Sequence, residues 1–237
     1  LSMHNAREVD ERSAPDFYRL VQQLAQRAGL PMPRVYLIDQ DAPNAFATGR
    51  NPDHAAVAVT EGLLAHMEWS EVRGVLAHEL MHVRNRDILI GSVAATVGMA
   101  ITMIARMAMF AAMFGGGRDR DRNPIGEIAF AILAPVAAML IQAAISRSRE
   151  FQADASAARL IGDGEPLARA LEKLELAAGR IPSGVDPNQA SNYIIDPLKA
   201  QARGGARGGS KLFSTHPPTA DRIARLRGGD WTNGPIS

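Results

Sequence analysis

The stretch HELMH, residues 78–82, sets two imidazoles four positions apart with a carboxylate beside the first. On a helix, positions i and i+4 stand one above the other, so His78 and His82 can each turn a ring nitrogen toward one zinc ion. Glu79 then reaches a water that the ion acidifies rather than the ion itself, which is the arrangement for general-base attack on a peptide carbonyl. The chain contains no cysteine. Disulfides, thiolate nucleophiles and thiolate ligands are excluded together, and a zinc site has to be built from histidines and carboxylates.

A catalytic zinc takes a third protein ligand and keeps a fourth position open. Glu150 is the candidate, because it follows the second of two long apolar segments and a hairpin returns the chain close to where it left. Asp154, one turn further on, is placed to accept a hydrogen bond from a ligand imidazole, and the two acids could exchange these roles. His216, in FSTHPPTADR, is held by the two prolines after it; it could donate to a developing oxyanion or serve as a fourth ligand. A protease grips its substrate as an extended strand. AAVAVT, residues 55–60, offers an edge for strand addition, and Asn44 in NAFATG can bond substrate backbone. His4, His54 and His66 read as incidental.

The elements that must carry these residues can be outlined from periodicity and punctuation. SAPDFYRLVQQLAQRAGL predicts a first helix, with Ser13 as its cap, Pro15 in its first turn and Gly29 as its stop. RVYLI (34–38) and AAVAVT (55–60) predict short strands, with NAFATGRNPD between them as a turn or a further small strand. Residues 70–87 predict a helix whose core stripe is Val72, Leu76, Leu80 and Val83. At 100° per residue the two histidines lie roughly 140° from the centre of that stripe. Two uncharged segments follow, 88–105 and 128–145, each about 27 Å long as a helix and so close to the hydrocarbon thickness of a bilayer. Joined by GGGRDRDRNPIGE they make a membrane hairpin, and Pro135 predicts a kink in its second arm. RSREFQADASAARLI continues the second arm as helix. EPLARALEKLELAAG predicts a separate amphipathic helix, residues 180–212 a long loop, and PTADRIARLRG a closing helix.

The expected fold is α+β and mainly α, divided into a first catalytic part (1–87), a transmembrane hairpin (88–145) and a second catalytic part (146–237). A net charge of +1 offers no concentrated basic surface for nucleic acid. Arginine excess beside HELMH (Arg73, Arg84, Arg86, Arg147, Arg149, Arg159) exceeds that of the hairpin loop, where Arg118, Arg120 and Arg122 alternate with Asp119 and Asp121. That asymmetry places the HELMH side in the cytoplasm. The polar N-terminus has no signal segment, and a start at Leu1 suggests a fragment.

Taken in order, NAREVDE, PNAFATGR, HELMHVRNRD, SREFQADASAARL and LFSTHPPTADRIARL resemble the integral-membrane zinc proteases of the HtpX type, which are related to the CAAX prenyl proteases. The resemblance runs over nearly the whole chain. It implies a gluzincin-like catalytic domain with one zinc ion on His78, His82 and Glu150, Glu79 as general base, and His216 as transition-state stabiliser. It also implies that Arg222 orients acidic groups such as Asp154. Members of that family degrade misfolded or damaged membrane proteins at the bacterial inner membrane as part of quality control and the stress response, with the active site facing the cytoplasm. They usually carry two more spans ahead of the region where this chain begins. The expected partners are protein substrates and the bilayer. Two other readings fit the same residues: a soluble metalloprotease whose hairpin is buried in its own core or in a partner, and a non-catalytic quality-control adaptor in which zinc only braces helices.

Overall fold

In this computed structural model, residues 6–114, 124–178 and 217–232 are described. The chain runs β1 (Ala6–Val9), α1 (Pro15–Ala28), β2 (Arg34–Ile38), β3 (Ala45–Thr48), a 3-10 turn (Pro52–His54), β4 (Ala56–Thr60), α2 (Glu61–His66) and α3 (Trp69–Arg84). After these come α4 (Asp87–Phe114), α5 (Pro124–Ile161), α6 (Glu165–Ala178) and α7 (Thr219–Gly228). The architecture is mainly helical α+β, as expected. The loop at 180–212 lies outside the described residues.

The sheet has the order β1-β2-β4-β3, with β2 and β4 parallel and the outer pairs antiparallel. This corrects the expectation that residues 55–60 offer a free edge. Strand β4 lies between β2 and β3, both of its edges are taken, and all five of its residues are buried. The edge beside the HELMH helix is β3, from the NAFATG stretch. Strand β1 and helix α2 were not foreseen, because four residues reading AREV and six reading EGLLAH are too short to show a period. Ser13 does not cap α1 either. Its hydroxyl and amide both bond Asp10 Oδ1 at 2.8 Å, closing the turn ahead of the helix, and α1 starts at Pro15 with Ala14 in the capping position.

Helix α3 sits at the centre, packed against α1, α5, α6 and β3. It is therefore covered on nearly every side: Val75, Ala77, His78, Glu79 and Met81 are buried along with the predicted stripe. Its first turn is closed by Glu71, whose Oε2 accepts the Glu68 N–H at 2.9 Å and the Lys173 ammonium at 2.7 Å. Gly74 lets α6 approach backbone to backbone, since a Cβ there would stand 2.7 Å from the Leu167 nitrogen.

The helix expected over 70–87 ends instead at Arg84. Asn85 remains right-handed, Arg86 takes φ 55° (the one non-glycine residue with positive φ among those described), and α4 begins at Asp87 in a new direction. Helices α4 and α5 form the hairpin, and α5 continues unbroken through Pro135 and the apolar segment to Glu150 and Asp154. Gln142 Nε2 donates to Ala94 O at 3.0 Å across the pair, and Gly98 makes room for it. Both arms are long and apolar enough to cross a membrane. Their outer faces carry Phe110, 65% exposed, and Leu133, 63% exposed, so among the described residues much of the hairpin's apolar surface is left uncovered.

Candidate active site

His78 and His82 lie on consecutive turns of α3, and their Nε2 atoms stand 3.0 Å apart. Glu150 arrives from α5 with one oxygen toward each ring: Oε2 is 3.7 Å from His78 Nε2 and Oε1 is 3.5 Å from His82 Nε2. One donor atom from each residue falls within 4.8 Å of the other two. Two nitrogens bound to one tetrahedral zinc at about 2.05 Å stand about 3.3 Å apart, so the imidazole spacing suits a shared ion. Both rings also turn Nδ1 to a carboxylate. His78 Nδ1 is 2.9 Å from Asp154 Oδ1, in an off-axis approach, and His82 Nδ1 is 2.7 Å from Asp87 Oδ2. An acceptor at Nδ1 leaves the lone pair on Nε2, where a divalent ion needs it. The donor set fits a metal.

Glu79 is buried close to these three residues, and its Oε2 accepts the backbone N–H of Ala47 at 2.9 Å. Burial pushes its carboxyl above the usual carboxylate range, against the pull of His78, His82 and the Ala47 amide. Burial alone would drive the His82 imidazolium down. The hydrogen bond to Asp87 and the charges of Glu150 and Glu79 outweigh it, and in the metal-free site His82 holds its proton up to about 9.

Arg222 comes from α7 and is buried. Its Nε and Nη2 donate to both oxygens of Asp154 at 2.7 Å, its Nη1 lies 3.1 Å from Glu150, and its Nη2 is 3.3 Å from His78 Nε2. Burial works against its charge, but Asp154 and Glu150 more than offset this and raise its pKa. Helix α7 is held against α5 by Arg225, stacked 3.8 Å over the Phe151 ring, and by Arg159 donating to Trp231 O at 3.0 Å. The guanidinium is thereby delivered to the site from far along the chain.

Of the residues singled out from sequence, His78, Glu79, His82, Glu150, Asp154 and Arg222 are brought together. His216 lies outside the described residues. Asn44 is buried at the start of β3, where its backbone N–H reaches Thr60 Oγ1 and its carbonyl accepts the Thr60 N–H, each at 2.9 Å. Two participants were missed. Asp87 follows His82 by five residues, a spacing that leaves a helix face, and only the left-handed corner at Arg86 turns it back. The Ala47 amide carries no side-chain signal at all.

The profile of peptidase family M48 matches residues 11–230. The chain belongs to peptidase family M48. Like other M48 peptidases it is a metalloprotease, and the triad of donors on α3 and α5 is where a metal can be held. The curated relatives include Protease HtpX homolog of Desulforapulum autotrophicum, 54% identical over 233 residues that cover 97% of this chain and 74% of that protein. Protease HtpX homolog of Burkholderia multivorans is 55% identical over 231 residues, covering 95% and 78%. Among solved structures, the crystal structure of S. mikatae Ste24p has the same fold at a TM-score of 0.60 and 22% identity. That match covers 95% of this M48 chain and 51% of Ste24p, so the chain spans about half of that protein.

Proposed function

We propose that the protein is a membrane-attached zinc endopeptidase of the gluzincin kind, binding one zinc ion through His78, His82 and Glu150. The observation that carries this is the convergence of those three donors beside a buried carboxylate that is tied to a strand edge. When bound, the ion supplies Lewis acidity toward water and toward the scissile carbonyl. Glu79 does the proton work. Its Oε2 is held by Ala47, which leaves Oε1 to take a proton from the attacking water and pass it to the leaving nitrogen. Arg222 and Asp154 hold His78 and Glu150 in place, and His216 donates to the oxyanion.

Substrate is gripped at β3. Thr60 N–H bonds Asn44 O, so in an antiparallel ladder residues 44, 46 and 48 face β4 while Ala45 and Ala47 face outward. The Ala47 amide pointing at Glu79 agrees with this alternation. An extended segment pairing with that edge lies along the site whatever its side chains, with Asn44 at the start of the strand as a further contact.

The exposed apolar hairpin supports attachment to a bilayer, at the bacterial inner membrane with the catalytic side cytoplasmic. Misfolded or damaged membrane proteins are the substrate class that such a placement serves. The decisive experiment compares wild type with Glu79→Gln in detergent, using casein cleavage and zinc content. Cleavage should fall by about 10² to 10⁴-fold with zinc retained. Unchanged cleavage at full zinc would convert the reading to a zinc-braced adaptor, and quantitative partitioning of the chain into buffer without detergent would remove the membrane from it.

A further inference from the structure

The geometry points to Asp87 and Arg149 as a positioning pair that locks the metal ligands to the base of the hairpin. This rests on the reading of His82 and Glu150 as ligands. Asp87 is the first residue of α4, and its two oxygens are divided between two partners. Oδ2 accepts from His82 Nδ1 at 2.7 Å, while Oδ1 takes both Nε and Nη2 of Arg149. Arg149 stands on α5 immediately before Glu150, and its remaining donors reach Gln152 Oε1 at 2.7 Å and Asn85 O at 3.3 Å. Glu150 Oε1 in turn faces His82 Nε2 at 3.5 Å.

The ring His82, Asp87, Arg149, Glu150 thus closes through contacts among the chain's own residues. It spans α3, α4 and α5, and the left-handed Arg86 is the corner that lets it close. Its chemical effect is specific. A carboxylate on Nδ1 keeps the His82 lone pair on Nε2 and raises its donor strength, and a guanidinium gripping that carboxylate in turn fixes the ring's direction. His78 has a related but looser set in Asp154 and Arg222, its Nδ1 meeting Asp154 Oδ1 off-axis while Arg222 holds both Asp154 oxygens. Each ligand imidazole therefore carries its own carboxylate and arginine. The His82 set alone is built into the start of the hairpin, so the setting of α4 against α5 is transmitted to the metal.

The test is zinc affinity of the full chain in detergent, measured by chelator competition. Asp87→Asn should bind zinc about 10 to 100-fold more weakly, and Arg149→Gln should weaken it in the same direction. The double variant should lose no more than the worse single one, because both act through one ring. Activity of Asp87→Asn should return when zinc is supplied above its new dissociation constant, with KM unchanged, which a general loss of structure would not allow. Zinc binding within twofold of wild type in both single variants overturns the pair, as do losses that simply add. If Asp87→Asn does not fold, Arg149→Lys decides instead, since it keeps the charge and loses the fork: about tenfold weaker binding supports the pair and wild-type affinity overturns it. A wild type that binds no zinc sinks the metal site itself, which is a different result.

Discussion

Ala47 gives its backbone N–H to Glu79 Oε2 at 2.9 Å, joining the outermost strand of the sheet directly to the carboxylate of the HELMH helix. The surface proposed to hold the substrate and the group proposed to move its proton are therefore parts of one rigid unit. A substrate strand laid on β3 is placed relative to the base through one direct hydrogen bond from the strand's own backbone. Such placement to a fraction of an ångström is what proton transfer in the transition state requires.

Replacing Ala47 by proline removes that one donor. The amide points away from β4, so the ladder keeps its bonds and an edge position tolerates the ring. A hydrogen bond to a charged group is worth about 1.5–3 kcal/mol, so kcat should fall about 10 to 100-fold while zinc content holds. Steady-state kinetics beside metal analysis checks it; an unaltered kcat would mean that Glu79 is oriented by something else.

Zinc and a proton compete for His82. The metal-free imidazole keeps its proton up to about 9, and that proton has to leave before Nε2 can bind. Apparent zinc affinity should climb by about tenfold per pH unit from neutrality and level off above about 9. In the metal-free protein the sign for stability is opposite. The folded value lies above the ordinary 6.5, so this contribution is complete below 6.5 and is lost as pH rises through about 9. Chelator competition and urea unfolding at a series of pH values read the two trends, and a flat affinity between pH 7 and 9 contradicts the first.

Arg222→Met leaves Asp154 and Glu150 buried without their guanidinium. Breaking a buried pair on one side costs about 3–5 kcal/mol, and the loss should appear in urea unfolding of the metal-free protein. Arg222→Lys should recover little, since an ammonium cannot span both Asp154 oxygens and Glu150 at once. Full recovery by lysine would show that charge alone, without the fork, is what the site needs.

Gly74→Ala should destabilise by about 1–3 kcal/mol, because the new methyl meets main-chain atoms of α6 that have no rotamer to yield. Gly91→Ala serves as a control. A Cβ there meets nothing within 4 Å, and melting of the two variants in the same detergent should separate them clearly.

The chemistry was legible in the sequence wherever it depended on local spacing. Four residues on one helix set the two imidazoles, the missing cysteines limited the third ligand to an acid or a histidine, and uninterrupted apolar runs marked the hairpin. Helices α1, α5, α6 and α7 followed from stripes, prolines and glycines, which act over a turn or two of chain. The sheet was another matter. Residues 55–60 read equally well as an edge or a centre, because a short apolar strand has the same composition in either place, and only pairing on both sides made β4 central and left the edge to β3. Asp87 was hidden for a related reason: a single left-handed residue bends the chain back, and no periodicity survives such a corner. What the amino-acid order determined by itself was the set of donors and the helices that bear them. Which carboxylate faces which nitrogen, and which backbone amide steadies the base, was decided by packing between segments far apart in the chain, since those distances exist only once the core has closed.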